Sequence, residues 1–107
     1  MDAPALSDVF PDLSIELSTL LTKAGQSALA GQVRQLRILD RCRCKDDFCS
    51  TMYTQPKPRL SYGSTHRSVN LHAEKGMIIL DVEFDVIACI EVLYRPEIRA
   101  RLLGLFP

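Results

Sequence analysis

The sequence predicts an α+β domain: a five-stranded antiparallel meander sheet with two helices before it and one after, in the order ααβββββα. Three observations lead there. Apolar residues recur at helical spacing up to Leu36, alternating and apolar runs separated by turn residues follow it, and Pro96 opens a final amphipathic stretch. A length of 107 residues is that of one domain, so residues 1–107 read as a single unit with 1–9 as a loose N-terminal tail.

The first helix is read over 11–24, where Leu13, Leu17, Leu20, Leu21 and Ala24 share one face. Pro11 suits a first turn because its missing N–H has no helical partner there, Asp12 and Glu16 favour the positive helix end, and Gly25 is a stop signal. A second helix is read over 28–35, with Ser27 as its cap and Leu29, Val33 and Leu36 on one side. Gly31 weakens that segment by about 1 kcal/mol relative to alanine.

Strands are read over 37–44, 48–55, 67–73, 77–83 and 86–93. The stretch "QPKPRLSYGS" between the second and third holds two prolines, which a central strand excludes, so it reads as a long loop. "EKG" and "EFD" are short enough to join antiparallel neighbours. The fourth and fifth strands, "MIILDV" and "VIACIEVL", are apolar on both faces. An antiparallel sheet with one wet face alternates, so these strands are expected to be covered on both sides, by a helix on each face, another subunit or a protein partner. The last helix starts at Pro96 and carries Ile98, Leu102 and Leu105 on one face.

Lysine plus arginine and aspartate plus glutamate stand at 13 each, a balance that excludes a general binder of phosphate backbones and makes nucleic acid an unlikely partner. The N-terminal stretch lacks the basic start and apolar run of a secretory leader, and no run approaches the ~18 apolar residues of a membrane span. The chain therefore reads as cytoplasmic, where thiols stay reduced and its four cysteines form no disulfide framework.

Three of those cysteines stand in "DRCRCKDDFCSTMYT", at Cys42, Cys44 and Cys49. If Asp46-Asp47 is a two-residue turn, Cys44 faces Cys49, and the period of two sets all three thiols on one face, with Arg41, Arg43 and Lys45 on the other. Three readings follow: small hydrophobes under the helices; a zinc site completed by His72 or His66; or a Cys44–Cys49 redox pair beside the basic stripe. Cys89, in an apolar strand, reads as core.

Other chemistry is sparse. No phosphate-binding glycine loop, G-x-S-x-G elbow or H-E-x-x-H helix occurs, and Ser64, Thr65 and His66 in "YGSTHR" lack a third group and oxyanion donors. Asp81, Glu83, Asp85 and Glu91 read as solvated acids about one hairpin, with cation or basic-partner binding as the alternative. Tyr53, Tyr62 and Tyr94 fall at strand ends or loops, and Phe84, Tyr94, Arg95 and Arg99 are the candidate partner contacts, since tyrosine and arginine are enriched at binding hot spots.

"CRCKDDFCSTMYT" and "GMIILDVEFDVIACIEVLYRPEIRARL" resemble segments of small uncharacterised bacterial proteins that carry C-x-C-x4-C-x-T-x-Y and a closing LDV…IEVL hairpin. The resemblance implies a bacterial, cytosolic protein and strands at both segments, and it brings no catalytic residues. Such hairpins usually turn on Asp-Gly, whereas Glu83-Phe84-Asp85 stands here.

The expectation is a non-catalytic interaction domain without a cofactor, of the immunity or antitoxin type, binding another protein or a second copy of itself and more a binder than an enzyme. The alternative is a zinc-binding or thiol-redox module on Cys42, Cys44 and Cys49, with His72 as the fourth zinc ligand.

Overall fold

A computed structural model describes residues 3–57 and 63–107. The chain is α+β, with an all-antiparallel five-stranded sheet. Its elements are α1 (Leu6–Val9), α2 (Pro11–Lys23), α3 (Ser27–Ala30), a 3₁₀ turn (Val33–Gln35), β1 (Asp40–Arg41), β2 (Met52–Tyr53), β3 (His66–Leu71), β4 (Met77–Glu83), β5 (Val86–Leu93) and α4 (Pro96–Leu105). Residues 58–62 of the proline-rich connection, Tyr62 among them, lie outside the described residues.

Helix α2 forms as its sequence prescribes. Pro11 occupies its first turn, Leu13, Leu17 and Leu21 are buried, and Gly25 ends it at φ +75°. Gly25 N–H donates to Thr22 and Gln26 N–H to Leu21, the paired closing bonds that satisfy the last carbonyls of a helix.

Upstream, the segment read as a loose tail is tied down instead. Leu6 is fully buried, its N–H donates to Leu36 at 2.9 Å, and Ala5 bridges Arg37. The second helix also differs: it breaks into α3 and the 3₁₀ turn around Gly31 and Gln32. Leu29 and Val33 still reach the core.

The sheet is not a meander. Its order is β1-β2-β5-β4-β3, so β2 pairs with β5 and β3 lies at the edge opposite β1. The hairpins β1–β2 and β3–β4–β5 form locally, and the connection from β2 to β3 crosses to the far edge. Ladder pairing in the first hairpin is confined to two residues a side, much shorter than the runs 37–44 and 48–55. By contrast, β4 and β5 hold the bounds their sequence indicates, and they join through Phe84 and Asp85, both in the left-handed region at φ 52° and 59°. That pair makes a tight primed turn without glycine. The Gln32 side chain clamps it, donating to Asp85 O at 2.6 Å and accepting from Ile87 N–H at 2.9 Å.

One bulge explains the apolar run of β5. Asp81 pairs with Cys89 but Val82 pairs with Ile87, which leaves Ala88 extra. An inserted residue shifts the side-chain alternation by one position. Ile87 and Ile90, three apart, can therefore both face the core, and both are fully buried.

The core is one cluster. It joins Leu6, Leu13, Leu17 and Leu21 to Ile78, Leu80, Val82, Ile90 and Val92 of the sheet and to Ile98 and Leu102 of α4. Each fully buried aliphatic side chain contributes about 1.5–3 kcal/mol. Met77, Ile79, Asp81, Glu91 and Leu93, at alternate strand positions, stay outside that cluster. The helices thus pack on one face of the sheet, correcting the expectation of a helix on each. The opposite face carries the thiols.

Candidate metal centre

The first hairpin builds the site. Asp40 pairs with Tyr53 and Arg41 with Met52, and Cys42 N–H donates to Thr51 O at 2.9 Å. Carried along the chain, this register sets Cys44 opposite Cys49 about Asp46 and Asp47. The ladder itself stops earlier, and Cys49 N–H closes the loop on Asp46 O at 3.4 Å. The returning limb then runs beside β5. Cys49 bridges Leu93, Ser50 N–H donates to Val92 O at 2.7 Å, and Met52 pairs with Ile90.

Alternation now decides which side each residue faces. Met52 is fully buried on the helix side, and Arg41, its pair, reaches the same side to donate to Phe106 O. Arg43 donates to Pro107 O at 3.0 Å and pairs with Asp40 at 3.0 Å. The two arginines therefore hold the two residues that follow α4 rather than the thiols. The thiols share the other side.

The Sγ atoms of Cys42, Cys44 and Cys49 all lie within 4.8 Å of one another, close enough to hold a metal ion. Sulfurs bound to one tetrahedral zinc stand about 3.8 Å apart, given a Zn–S bond of ~2.3 Å, so a modest contraction closes the set. Cys44 is exposed, while Cys42 and Cys49 are half-buried. Cys49 donates to Thr51 Oγ1 at 3.2 Å, and Cys42 bonds the Tyr53 hydroxyl. Both contacts orient a thiol before any ion arrives. Three thiols converging on one face of a hairpin fit a soft or borderline ion such as zinc.

An open depression of about 430 Å³ adjoins the thiols, and Thr51, Tyr53, Asp81, Cys89 and Glu91 share its lining. Cys89 is 3% exposed, and its thiol is pushed far above the ordinary range by burial and by Asp81 and Glu91. It stays a protonated, inert thiol. Glu91 is raised by burial and by the neighbouring Asp81, to which it hydrogen-bonds. His66 Nε2 meets Asp81 Oδ1 at 2.8 Å. Burial, then the Cys42 and Cys89 thiols, push the Tyr53 phenol up to about 12.

Neither histidine named as a fourth ligand joins the thiol group. β3, which holds His66 and leads into His72, is the edge strand opposite β1, and His66 meets the depression through its bond to Asp81. His72 is exposed and lines a separate depression with Asn70, Met77 and Ile79. Among the described residues, the group of potential ligands contains the three cysteines alone.

The candidate partner contacts are scattered. Phe84 is 73% exposed at the tip of the β4–β5 turn. Tyr94 stacks on Phe48 with ring centroids 5.1 Å apart, at the other end of β5. Arg95 is engaged internally: its guanidinium meets the Glu16 carboxylate through two bonds of 3.1 and 3.2 Å. Arg99 donates to Cys49 O at 2.7 Å, which anchors the thiol loop to α4.

Sequence reasoning read Asp81 and Glu91 as solvated turn acids, with cation or basic-partner binding as the alternative, and assigned Cys89 to the core, where it is indeed buried. The signal that places them on the thiol face is plain alternation along β4 and β5, and it needs the β2–β5 pairing to become visible.

No protein-family model, curated protein or solved structure matches this chain. Among the described residues, no helix is long and apolar enough to cross a membrane.

Proposed function

We propose that this chain is a small zinc-binding protein that holds its ion through Cys42, Cys44 and Cys49. The observation that carries this reading is the convergence of three Sγ atoms to within 4.8 Å on one face of a hairpin. The thiolates would bind the ion and release their protons, and the ion would tie the two limbs of the first hairpin together. Where the ladder is only two residues long, such a tie has a structural use. At free zinc 100-fold above the dissociation constant, binding stabilises the fold by about 2.7 kcal/mol.

The test is metal content with thiol counting on protein purified without added metal. About one zinc per chain is expected, with Cys42, Cys44 and Cys49 unreactive until a chelator is added. A metal-free protein that takes up no zinc under reducing conditions ends the reading. Reversible loss of two thiols as a Cys44–Cys49 disulfide, without metal, replaces it by the redox version of the same site.

A second reading, a protein-interaction module, rests on Phe84. An aromatic side chain in left-handed backbone, 73% exposed and held by the Gln32 clamp, is a costly arrangement for a plain turn. An immunity or antitoxin-type role is its narrower form. A sedimentation measurement that shows a strict monomer, together with a Phe84→Ala variant that keeps all its partners, removes it.

A further inference from the structure

The three-thiol set leaves one tetrahedral position to fill. Both histidines and all four cysteines of the chain fall within the described residues. No further His, Cys, Asp or Glu atom among those residues joins the group. The histidines belong to the far edge of the sheet, and Cys89 is buried against Tyr53 and Asp81. The three thiols line a depression of about 430 Å³, from which an outside donor could reach an ion held by them.

The lining of that depression restricts what can enter. Beyond the thiols its polar groups are the carboxyls of Asp46, Asp81 and Glu91 and the hydroxyls of Thr51 and Tyr53; no lysine, arginine or histidine lines it, although His66 bonds Asp81 at 2.8 Å. Zinc with three thiolates already carries a net negative charge. An anionic fourth ligand would therefore meet like charge first from the metal complex, and then from those carboxyls of the lining that are ionised. A neutral nitrogen donor meets neither. It also suits zinc, which accepts nitrogen beside sulfur.

We infer that the zinc site is open, and that its fourth position takes a neutral nitrogen donor from outside the chain, an imidazole or amine entering over Asp81 and Glu91. This inference rests on the zinc-binding reading. The donor can be a small molecule or a histidine of a second copy, since His72 is exposed.

The experiment uses the full chain, reduced and loaded with one equivalent of cobalt(II), whose visible bands report the ligand set. Imidazole is titrated against azide at equal ionic strength. A saturable band shift is expected with one imidazole per cobalt, and azide should bind at least about tenfold more weakly, the effect of nearby like charge. In the Asp81→Asn, Glu91→Gln double variant that preference should shrink while the cobalt–thiolate bands persist. Bands that change with protein concentration and lose that dependence in His72→Gln support the inference with a second copy as donor. Cobalt bands that respond to neither imidazole nor dilution overturn it, because the chain then closes its own site. Azide also ligates through nitrogen but carries a charge, so azide binding as tight as imidazole overturns the preference for a neutral donor. Failure to take up cobalt or zinc overturns the zinc reading itself, which separates the two failures.

Discussion

Replacing Gly76 by alanine tests how the turn before β4 is packed against the end of β5. Gly76 sits at φ +66°, and a Cβ there would press into the Leu93 carbonyl oxygen, with Arg95 Cγ at 3.2 Å and Tyr94 O at 3.3 Å. Gly25 supplies the control for backbone conformation alone, since it has φ +75° and a Cβ added there would meet nothing within 4 Å. Alanine in the left-handed region costs about 1 kcal/mol. Forcing a methyl against backbone adds about 1–3 kcal/mol. Gly25→Ala should thus lose ~1 kcal/mol and Gly76→Ala about 2–4 kcal/mol. Gly104, within α4 and open around its Cα, should gain up to ~1 kcal/mol as alanine. Near 100 residues, 1 kcal/mol moves the melting temperature by roughly 4 °C or more. Urea and thermal unfolding followed by circular dichroism should rank the variants Gly104→Ala, wild type, Gly25→Ala, Gly76→Ala. Because Cys49 bridges Leu93, Gly76→Ala should also weaken any zinc binding at the proposed site, which Gly25→Ala should leave unchanged. Equal losses at Gly76 and Gly25 would refute the close approach of the Leu93 carbonyl.

Three other outcomes follow from the same geometry. Phe84→Gly relieves left-handed strain at an exposed position and should stabilise the fold by about 1 kcal/mol in urea unfolding. Arg95→Ala removes the two-pronged bond to Glu16 and should cost about 2 kcal/mol, with Glu16→Gln recovering part of the loss in the double variant. The Tyr53 phenol stands near 12 in the fold against 10.0 when free, so the folded state keeps a proton that the unfolded state releases. Stability from this group is complete below pH ~10 and declines as pH rises towards 12. The phenolate absorbance of the folded protein should show a component near pH 12 that Tyr53→Phe removes.

The local elements were legible because their causes are local. Pro11 and Gly25 bound α2, Pro96 opens α4, and the turn residues between "MIILDVE" and "VIACIEVL" set the limits of β4 and β5. The thiol group was legible for the same reason: a period of two about Asp46 and Asp47 puts Cys42, Cys44 and Cys49 on one face whatever the sheet does around them.

What the tertiary structure alone decided is which strand lies beside which. Hydrophobic period tells which face of a strand is buried, but it carries no label for the neighbour across the ladder. β2 beside β5, rather than beside β3, brings Asp81, Cys89 and Glu91 to the thiols and sends His72 to the far edge. Plain alternation with Glu91 and Leu93 turns Cys89 to that depression, and the Ala88 bulge then returns Ile87 to the core. The N-terminal segment follows the same logic: Leu6 looks like tail in isolation and becomes core because Leu36 and Arg37 offer its backbone a partner. The donors were written in the chain, whereas their company was set by long-range pairing, which no local pattern of residues encodes.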